Sequence, residues 1–282
     1  MRRHHRPIRD RRVLITGAAR GIGAALARRL SDRGARVALA GIEAERLAEI
    51  GTALGAPYWE CDVTDRTRVD TVVHAAADAL GGLDVVVANA GIAAQVPLVG
   101  GDPSQFEAIV DVNVLGAYYT LRAAGPHIAH PDGYAIAMSS LGGAVHLPLM
   151  GAYSASKAAV EAIGNTLRAE LAHTGARVGV AYFAELDTEM TSRGFGTEAA
   201  RAFLGDRTIT TVTPLSVGID ALERGIEHRS RRIVAPWWVN AVLPIREIAQ
   251  PVVERAVRGR ATKALDVARA ETVELTTPQP GS

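Results

Sequence analysis

Tyr153 and Lys157 stand four residues apart in the run Ala152-Tyr-Ser-Ala-Ser-Lys157, a spacing that puts both side chains on one face of a helix. An unperturbed tyrosine, with a pKa of about 10, is a poor base near neutrality, but an adjacent ammonium favours its phenolate. The pair therefore has the chemistry of a general acid or base whose proton affinity Lys157 adjusts. The chain holds six tyrosines and only two lysines, Lys157 and Lys263, so about 0.04 such pairs are expected by chance. Ser139 and Ser140 follow an apolar run at 135–138. A hydroxyl at the carboxyl end of such a strand can polarise a carbonyl oxygen, although serines there also serve as ordinary turn chemistry. Asn113 is polar among apolar neighbours in Val112-Asn-Val-Leu-Gly116. In a long helix it must find partners if buried, so its role reads as structural, functional or both.

A second centre lies near the N-terminus. The run Val13-Leu-Ile-Thr-Gly-Ala-Ala-Arg-Gly-Ile-Gly23 passes from a strand through Gly17, Gly21 and Gly23 into an amphipathic helix expected at 24–31. Glycines let the backbone approach a pyrophosphate closely, and the helix start offers unpaired amides and a positive dipole end. The position between strand and helix favours a dinucleotide site over a merely structural turn. The second strand ends in Ala40-Gly41-Ile42, with Glu43 following, while Arg20 lies in the glycine turn. One acid and one base thus compete for the adenosine ribose. Asp62, after an expected third strand at 58–61, either caps the next helix or accepts from an adenine amino group.

The elements that must position these residues follow from apolar runs at 13–16, 37–40, 85–88, 135–138 and 178–183, separated by alanine-rich, helix-length segments. Strands alternating with helical crossovers imply βαβ units. These build an α/β, doubly wound, Rossmann-like parallel sheet in a single domain, which binds ligands at its carboxyl edge. The 282 residues are 48% hydrophobic and 22% charged, enough for one sizeable core. A net charge of +1 supplies no broad field for nucleic acid. The single Cys61 makes no intrachain disulfide or cysteine-rich zinc site, and suits a reducing cytoplasm. The basic start, MRRHHRPIRDRR, is followed by no signal-type apolar region, and the stretches 237–243 and 245–253 are too interrupted to span a membrane.

Together these pieces resemble the short single-domain branch of the short-chain dehydrogenase/reductase family, over about 13–190. Thr16-Gly-Ala-Ala-Arg-Gly-Ile-Gly23, Asn89-Ala-Gly91, Asn113, Ser140 and Tyr153-Ser-Ala-Ser-Lys157 carry the resemblance in order. It implies an NAD(P)-dependent enzyme interconverting an alcohol and a carbonyl, with Tyr153 as general acid or base. Ser140 would orient the substrate oxygen, Lys157 would grip the nicotinamide ribose and lower the tyrosine pKa, and Asn113 would support a proton relay. Gly17, Arg20, Gly21, Ile22, Gly23, Asp62, Val63, Asn89, Ala90, Gly91, Tyr153, Lys157, Leu186 and Thr188 would hold the dinucleotide. A homodimer or homotetramer is implied as well. The chain departs from the family in two places. Phe183-Ala184 stands where Pro-Gly is frequent, and neither Gly41 nor Ile42 matches the residues that mark NAD or NADP preference. The missing acid leans the cofactor towards NADP.

Residues 1–11 are expected to form a flexible basic arm and 12–260 the cofactor domain, with a substrate lid near 186–213 containing Gly194, Gly196 and Gly205. Residues 261–282 are expected as an extension that frays from about 276. The stretch Pro236-Trp-Trp-Val-Asn-Ala-Val-Leu-Pro-Ile245 has three uses: packing against the domain or a partner chain, walling an apolar substrate site, or meeting a membrane surface. A wall would suit a fatty aldehyde or a steroid-like or aryl ketone. Two other functions compete. A dinucleotide-binding regulator without catalysis would not need Tyr153 and Lys157, and a nucleotide-sugar epimerase or dehydratase would need a larger substrate domain.

Overall fold

Short runs of β-branched and small apolar residues pack well on a pleated surface covered on both sides. Six such runs and a more exposed edge strand, Tyr-Trp-Glu, form one sheet in the computed structural model, which describes residues 6–194, 197–204, 212–271 and 275–277. The strands are β1 (Arg12–Thr16), β2 (Arg36–Gly41), β3 (Tyr58–Glu60), β4 (Val85–Ala88), β5 (Tyr134–Met138), β6 (Arg177–Phe183) and β7 (Arg232–Ala235). Their order is β3-β2-β1-β4-β5-β6-β7, and every neighbouring pair is parallel. The order reverses between β1 and β4, which opens a crevice at the carboxyl edge there. The expected doubly wound, Rossmann-like fold is therefore present.

The helices are α1 (Gly21–Asp32), α2 (Ala44–Leu54), α3 (Arg66–Leu80), α4 (Pro103–Val110), α5 (Gly116–Ile128), α6 (Gly151–Glu170), α7 (Glu189–Gly194), α8 (Glu198–Leu204), α9 (Leu215–His228), α10 (Val239–Val242) and α11 (Arg246–Ala270). Side chains alternate across each strand. Leu14, Ala38, Val86 and Ala135 pack with α3, α5 and α6 on one face, while Val13, Ile15, Val37 and Ile136 pack with α1 and α9 on the other. On α6 the close approach is set by Gly164, where a Cβ would stand 2.8 Å from Val180 Cγ2 and 3.0 Å from Ala137 Cβ. That contact seats α6, which carries Tyr153 and Lys157, directly on β5 and β6.

Three expected boundaries are corrected. The N-terminal arm ends before Ile8, which is buried in the core beside α9, and Arg6 N donates to Glu227 O at 2.8 Å. Residues 1–5 lie outside the described residues. The division at 260 falls inside α11, whose continuous backbone hydrogen bonding crosses it. Of the tail expected to fray from about 276, Thr276 is buried and donates its N–H to Ala93 O at 3.1 Å, and residues 278–282 lie outside the described residues. Apolar or hydrogen-bonded anchors explain the N- and C-terminal differences, because each offsets the entropy of ordering a chain end. Among the described residues no helix is long and apolar enough to cross a membrane.

The start of the central strand is fixed electrostatically. The Arg12 guanidinium donates to both Asp84 oxygens, at 2.9 and 2.7 Å, and to Gly81 O, while Arg12 N donates to Asp84 Oδ2 at 3.0 Å. Burial pushes the Asp84 carboxyl up, but the hydrogen bonds and charge of Arg12 outweigh it and leave the group below its ordinary value of 3.8. A carboxyl depressed in this way stabilises the fold fully above that ordinary value, and the contribution is lost as pH falls through the lower folded value. Asp84→Asn should reduce unfolding free energy by about 2 kcal/mol at neutral pH, and the gap from wild type should close on acidification. Urea unfolding at pH 7 and pH 3 measures both.

Candidate active site

The glycine turn is built by exclusion of side chains. Gly17 (φ 64°) and Gly21 (φ 53°) occupy the left-handed region that favours glycine. A Cβ on Gly17 would lie 2.7 Å from Ala90 Cα, and one on Gly23 would lie 2.2 Å from Gly17 O. At Gly21 a Cβ would meet nothing within 4 Å, because that position faces open space. The N-cap of α1 is Arg20, and no side chain caps the first turn. Its leading amides thus suit an anion such as a pyrophosphate. The helix begins at Gly21, three residues earlier than expected.

Thr16 and Asn89 staple this turn to the end of β4. Thr16 Oγ1 accepts from Asn89 N at 3.1 Å and Ala90 N at 3.3 Å, and Asn89 Nδ2 donates to Thr16 O at 3.0 Å and Gly17 O at 3.1 Å. The Asn89 amide is thus engaged within the protein, and its role is to hold the crevice open in shape. Asp62 accepts from Thr64 N at 2.9 Å and Thr64 Oγ1 at 2.8 Å, in a local turn. The α3 cap is instead Asp65, which accepts from Arg68 N at 3.0 Å. Of the two uses of Asp62, the helix cap is therefore ruled out.

Arg20 and Glu43 do not compete; they pair. Arg20 Nε donates to Glu43 Oε2 at 2.6 Å and a second guanidinium nitrogen donates to Glu43 Oε1. Arg20 also reaches Glu189 Oε2 at 3.1 Å, and Arg46 reaches Glu189 Oε1 at 3.2 Å. Two arginines and two glutamates thereby join the glycine turn, the end of β2 and the start of α7.

The second centre forms where β5 ends against α6. Ser139 Oγ donates to Lys157 O at 2.7 Å, and Lys157 Nζ donates to Met138 O at 2.9 Å. Ser140 Oγ accepts from Gly142 N at 3.0 Å, donates to Phe183 O at 3.3 Å and hydrogen bonds the Tyr153 phenol. Lys157 Nζ lies 5.6 Å from the centre of the Tyr153 ring. Burial lowers the Lys157 ammonium to about 8. Burial also raises the Tyr153 phenol, and the hydrogen bond with Ser140 only partly opposes it. This differs from the expectation that Lys157 brings the phenol down towards neutrality. The ammonium is turned to Met138 O, and loss of solvation sets the direction of the Tyr153 shift.

Asn113 sits in a π-helical turn, Asp111–Leu115, inserted between α4 and α5. Such turns frequently mark functional sites. Asn113 is 1% exposed, accepts from Ile92 N at 2.8 Å and donates to Ile92 O and Ser156 Oγ, each at 2.9 Å. Ser156 Oγ in turn donates to Tyr153 O at 2.7 Å. A Cβ on Gly91 would lie 3.2 Å from Asn113 Oδ1 and 3.3 Å from Lys157 Nζ. Asn113 therefore stands behind the cavity wall rather than on it. Ser156 and Thr16 are the connecting residues that sequence reasoning passed over. Ser156 is three residues beyond Tyr153, where a short hydroxyl can turn back to the preceding turn of its own helix.

Both centres open into one cavity of about 880 Å³. Gly17, Arg20, Gly21, Ile22, Asp62, Val63, Asn89, Ala90 and Gly91 line one end, Ser140, Tyr153 and Lys157 the middle, and Leu186 and Thr188 the near side. Gly23 and Asn113 support from behind. Thr188 Oγ1 accepts from Thr191 N at 3.3 Å at the start of α7. Phe183 and Ala184 form wall where Pro-Gly is frequent. Beyond the tyrosine the walls turn apolar, with Val145, Leu147, Leu149, Phe203, Trp238, Val242 and Val253. The 236–253 stretch thus walls the cavity with one face, while Trp237, Ile245 and Ile248 remain exposed on the other. Gly196 and Gly205 of the expected lid lie outside the described residues.

A fold whose crevice carries these two centres defines a class. The short chain dehydrogenase model matches residues 11–204, and the chain belongs to that family of oxidoreductases. It is similar to an uncharacterized oxidoreductase of Mycobacterium tuberculosis, 32% identical over 241 residues that cover 82% of this chain and 90% of the relative. It is also similar to an uncharacterized oxidoreductase of Staphylococcus epidermidis, 33% identical over 187 residues covering 65% of this chain and 81% of that protein.

Asn113→Leu should leave the buried N–H and C=O of Ile92 unpaired, at a cost of about 2–3 kcal/mol. Urea unfolding will show this as a lower midpoint at unchanged slope. A midpoint equal to wild type would mean that Asn113 is not the clamp.

Proposed function

We propose that this protein is an NAD(P)-dependent oxidoreductase that interconverts a lipophilic alcohol and its ketone or aldehyde. The observation that carries the proposal is the meeting of Ser140, Tyr153 and Lys157 at the floor of a cavity whose far walls are apolar. The uncapped start of α1 and the glycine cradle fit a pyrophosphate. When bound, the nicotinamide supplies or accepts a hydride at the substrate carbon. In the reductive direction the chain's own groups do the rest. Ser140 Oγ donates to the substrate oxygen and Tyr153 delivers a proton from its phenol to that oxygen. A phenol that burial keeps protonated suits the acid that the reductive direction needs. Asn113 is a positioning residue in this scheme, acting through Ile92 and Ser156.

The pair formed by Arg20 and Glu43 bears on the choice of dinucleotide. A 2′-phosphate would have to draw Arg20 away from Glu43 and then stand beside that carboxylate, whereas a 2′-hydroxyl can donate to it. This supports NAD, against the lean towards NADP that the missing acid at Gly41 suggests. A cytoplasmic setting and a homo-oligomer complete the proposal.

Three outcomes test it. Tyr153→Phe should lose about 10²- to 10⁴-fold in turnover while NADH affinity, from fluorescence titration, stays within about twofold. An unchanged rate would refute the acid, and dinucleotide binding without turnover in wild type on apolar and polar carbonyls would favour a regulator. Glu43→Gln should shift the ratio of NADPH to NADH affinity about tenfold towards NADPH, or about 1.4 kcal/mol; an unmoved ratio would sink the assignment to Glu43. The kcat/KM for reduction should be level below pH 8 and fall above it as Lys157, lowered to about 8, gives up its proton. A profile level through pH 9 would exclude that dependence.

A further inference from the structure

The family match ends at residue 204, yet the cavity does not. Ala249 and Val253 of α11, with Thr276 and Thr277 further on, line the same cavity as Tyr153. We propose that the segment from α11 to Thr277 is a built part of the substrate site, closing its far wall and selecting long apolar carbonyl substrates over short ones. This rests on the reading of the site as one for carbonyls and alcohols.

Three attachments make the segment a fixed wall. The first is a clip on the cavity floor. Thr276 is 2% exposed, accepts from Ala93 N through Oγ1 at 2.9 Å and donates its own N–H to Ala93 O at 3.1 Å. The neighbouring residue, Ile92, is clamped in the same two-bond manner by Asn113. Successive backbone units just after Asn89-Ala-Gly91 are thus held from opposite directions, one by the π-helical turn and one by the C-terminal segment.

The second attachment is to α8. Glu271, just past the end of α11, accepts from Glu198 N at 2.9 Å and from Ala199 N at 3.0 Å. Both orphan amides at that helix start are satisfied by one carboxylate from the segment, an arrangement that suits the helix dipole as well. The third is apolar. Ala264 and Ala268 of α11 are buried against Ala199 and Phe203 of α8 and against Leu149. Small residues on α11 let the two helices approach closely enough to shut water from Phe203, itself part of the cavity wall.

Leu149 shows that the wall bears on the chemistry. It lies four residues before Tyr153 and holds φ at 69°, a strained backbone state for a leucine. Its carbonyl accepts from Val96 N at 2.8 Å, and its side chain is buried among α8 and α11. The loop entering α6 is thereby held in place from the C-terminal side. What the segment adds to the cavity is mostly hydrocarbon, with hydroxyls only at Thr276 and Thr277. An extended apolar chain would bury against this surface and gain with each added methylene, while a three-carbon carbonyl would not reach it.

The test uses the full chain, a deletion of 272–282, Thr276→Val and Glu271→Ala. Three quantities are measured for each: the Kd of NADH, the Kd of the neutral fluorescent probe N-phenyl-1-naphthylamine, and the ratio of kcat/KM for decanal to that for propanal. The deletion should keep NADH affinity within about twofold, weaken the probe at least tenfold and lower the aldehyde ratio at least tenfold. Each point variant should move the probe and the ratio two- to fivefold in the same direction. Probe affinity and ratio both within twofold of wild type in the deletion would overturn the proposal. Loss of NADH binding in the folded deletion would overturn it too, since the segment would then serve the cofactor half. If the deletion fails to fold, the two point variants decide by the same criteria. If wild type binds NADH but reduces neither aldehyde, the carbonyl reading falls, and the probe affinities alone decide whether the segment walls an apolar site.

Discussion

Lys157 is buried where β5 ends, and the molecule is organised around satisfying it. An ammonium taken out of water costs several kcal/mol unless hydrogen bonds replace its hydration. Here Met138 O supplies one such bond, and Ser139 reaches back to Lys157 O. Strand and helix are thus tied to each other at the carboxyl end of β5. The same tie fixes the rotation of α6, which places Tyr153 one turn earlier on the same face. It also explains the need for Gly164 and Gly91. The first lets α6 lie on the sheet, and the second leaves room between Asn113 Oδ1 and Lys157 Nζ that a methyl group would fill.

Around that centre the polar groups form chains. Asn113, Ser156 and the Tyr153 carbonyl link the π-helical turn to the first turn of α6. Thr16 and Asn89 link β1 to β4, and Arg20, Glu43, Arg46 and Glu189 link the glycine turn to α7. The Asn113 chain is buried, where a low-dielectric interior demands partners, whereas the arginine–glutamate chain ends in the exposed pair of Arg46 and Glu189. Their common effect is rigidity at the cavity floor. The walls above are held by hydrocarbon contacts, where shape rather than direction sets fit.

Much of this was legible in the residues. Strands β1, β2, β4, β5 and β6 are bounded to within a residue, because a buried parallel strand is an uninterrupted apolar run whose ends are marked by charge or glycine. Tyr153 and Lys157 stand out by spacing alone, since a helix converts four residues into one face, whereas Ser140 is separated from Ser139 only by the family resemblance. The geometry of Asn113 could be anticipated only as a need: a buried amide requires partners, but nothing local says that they are Ile92 and Ser156. Asp65 rather than Asp62 caps α3, because the cap depends on where the first helical φ falls.

Local rules, then, determined the fold class, the glycine turn and the spacing of Tyr153 and Lys157, because periodicity and spacing act over distances that the chain itself fixes. Tertiary structure alone decided that Arg20 and Glu43 pair, that burial raises the Tyr153 phenol, and that Thr276 returns to Ala93 across 183 residues. Each of these depends on distances through space and on exclusion of water, and neither quantity is a function of position along the chain.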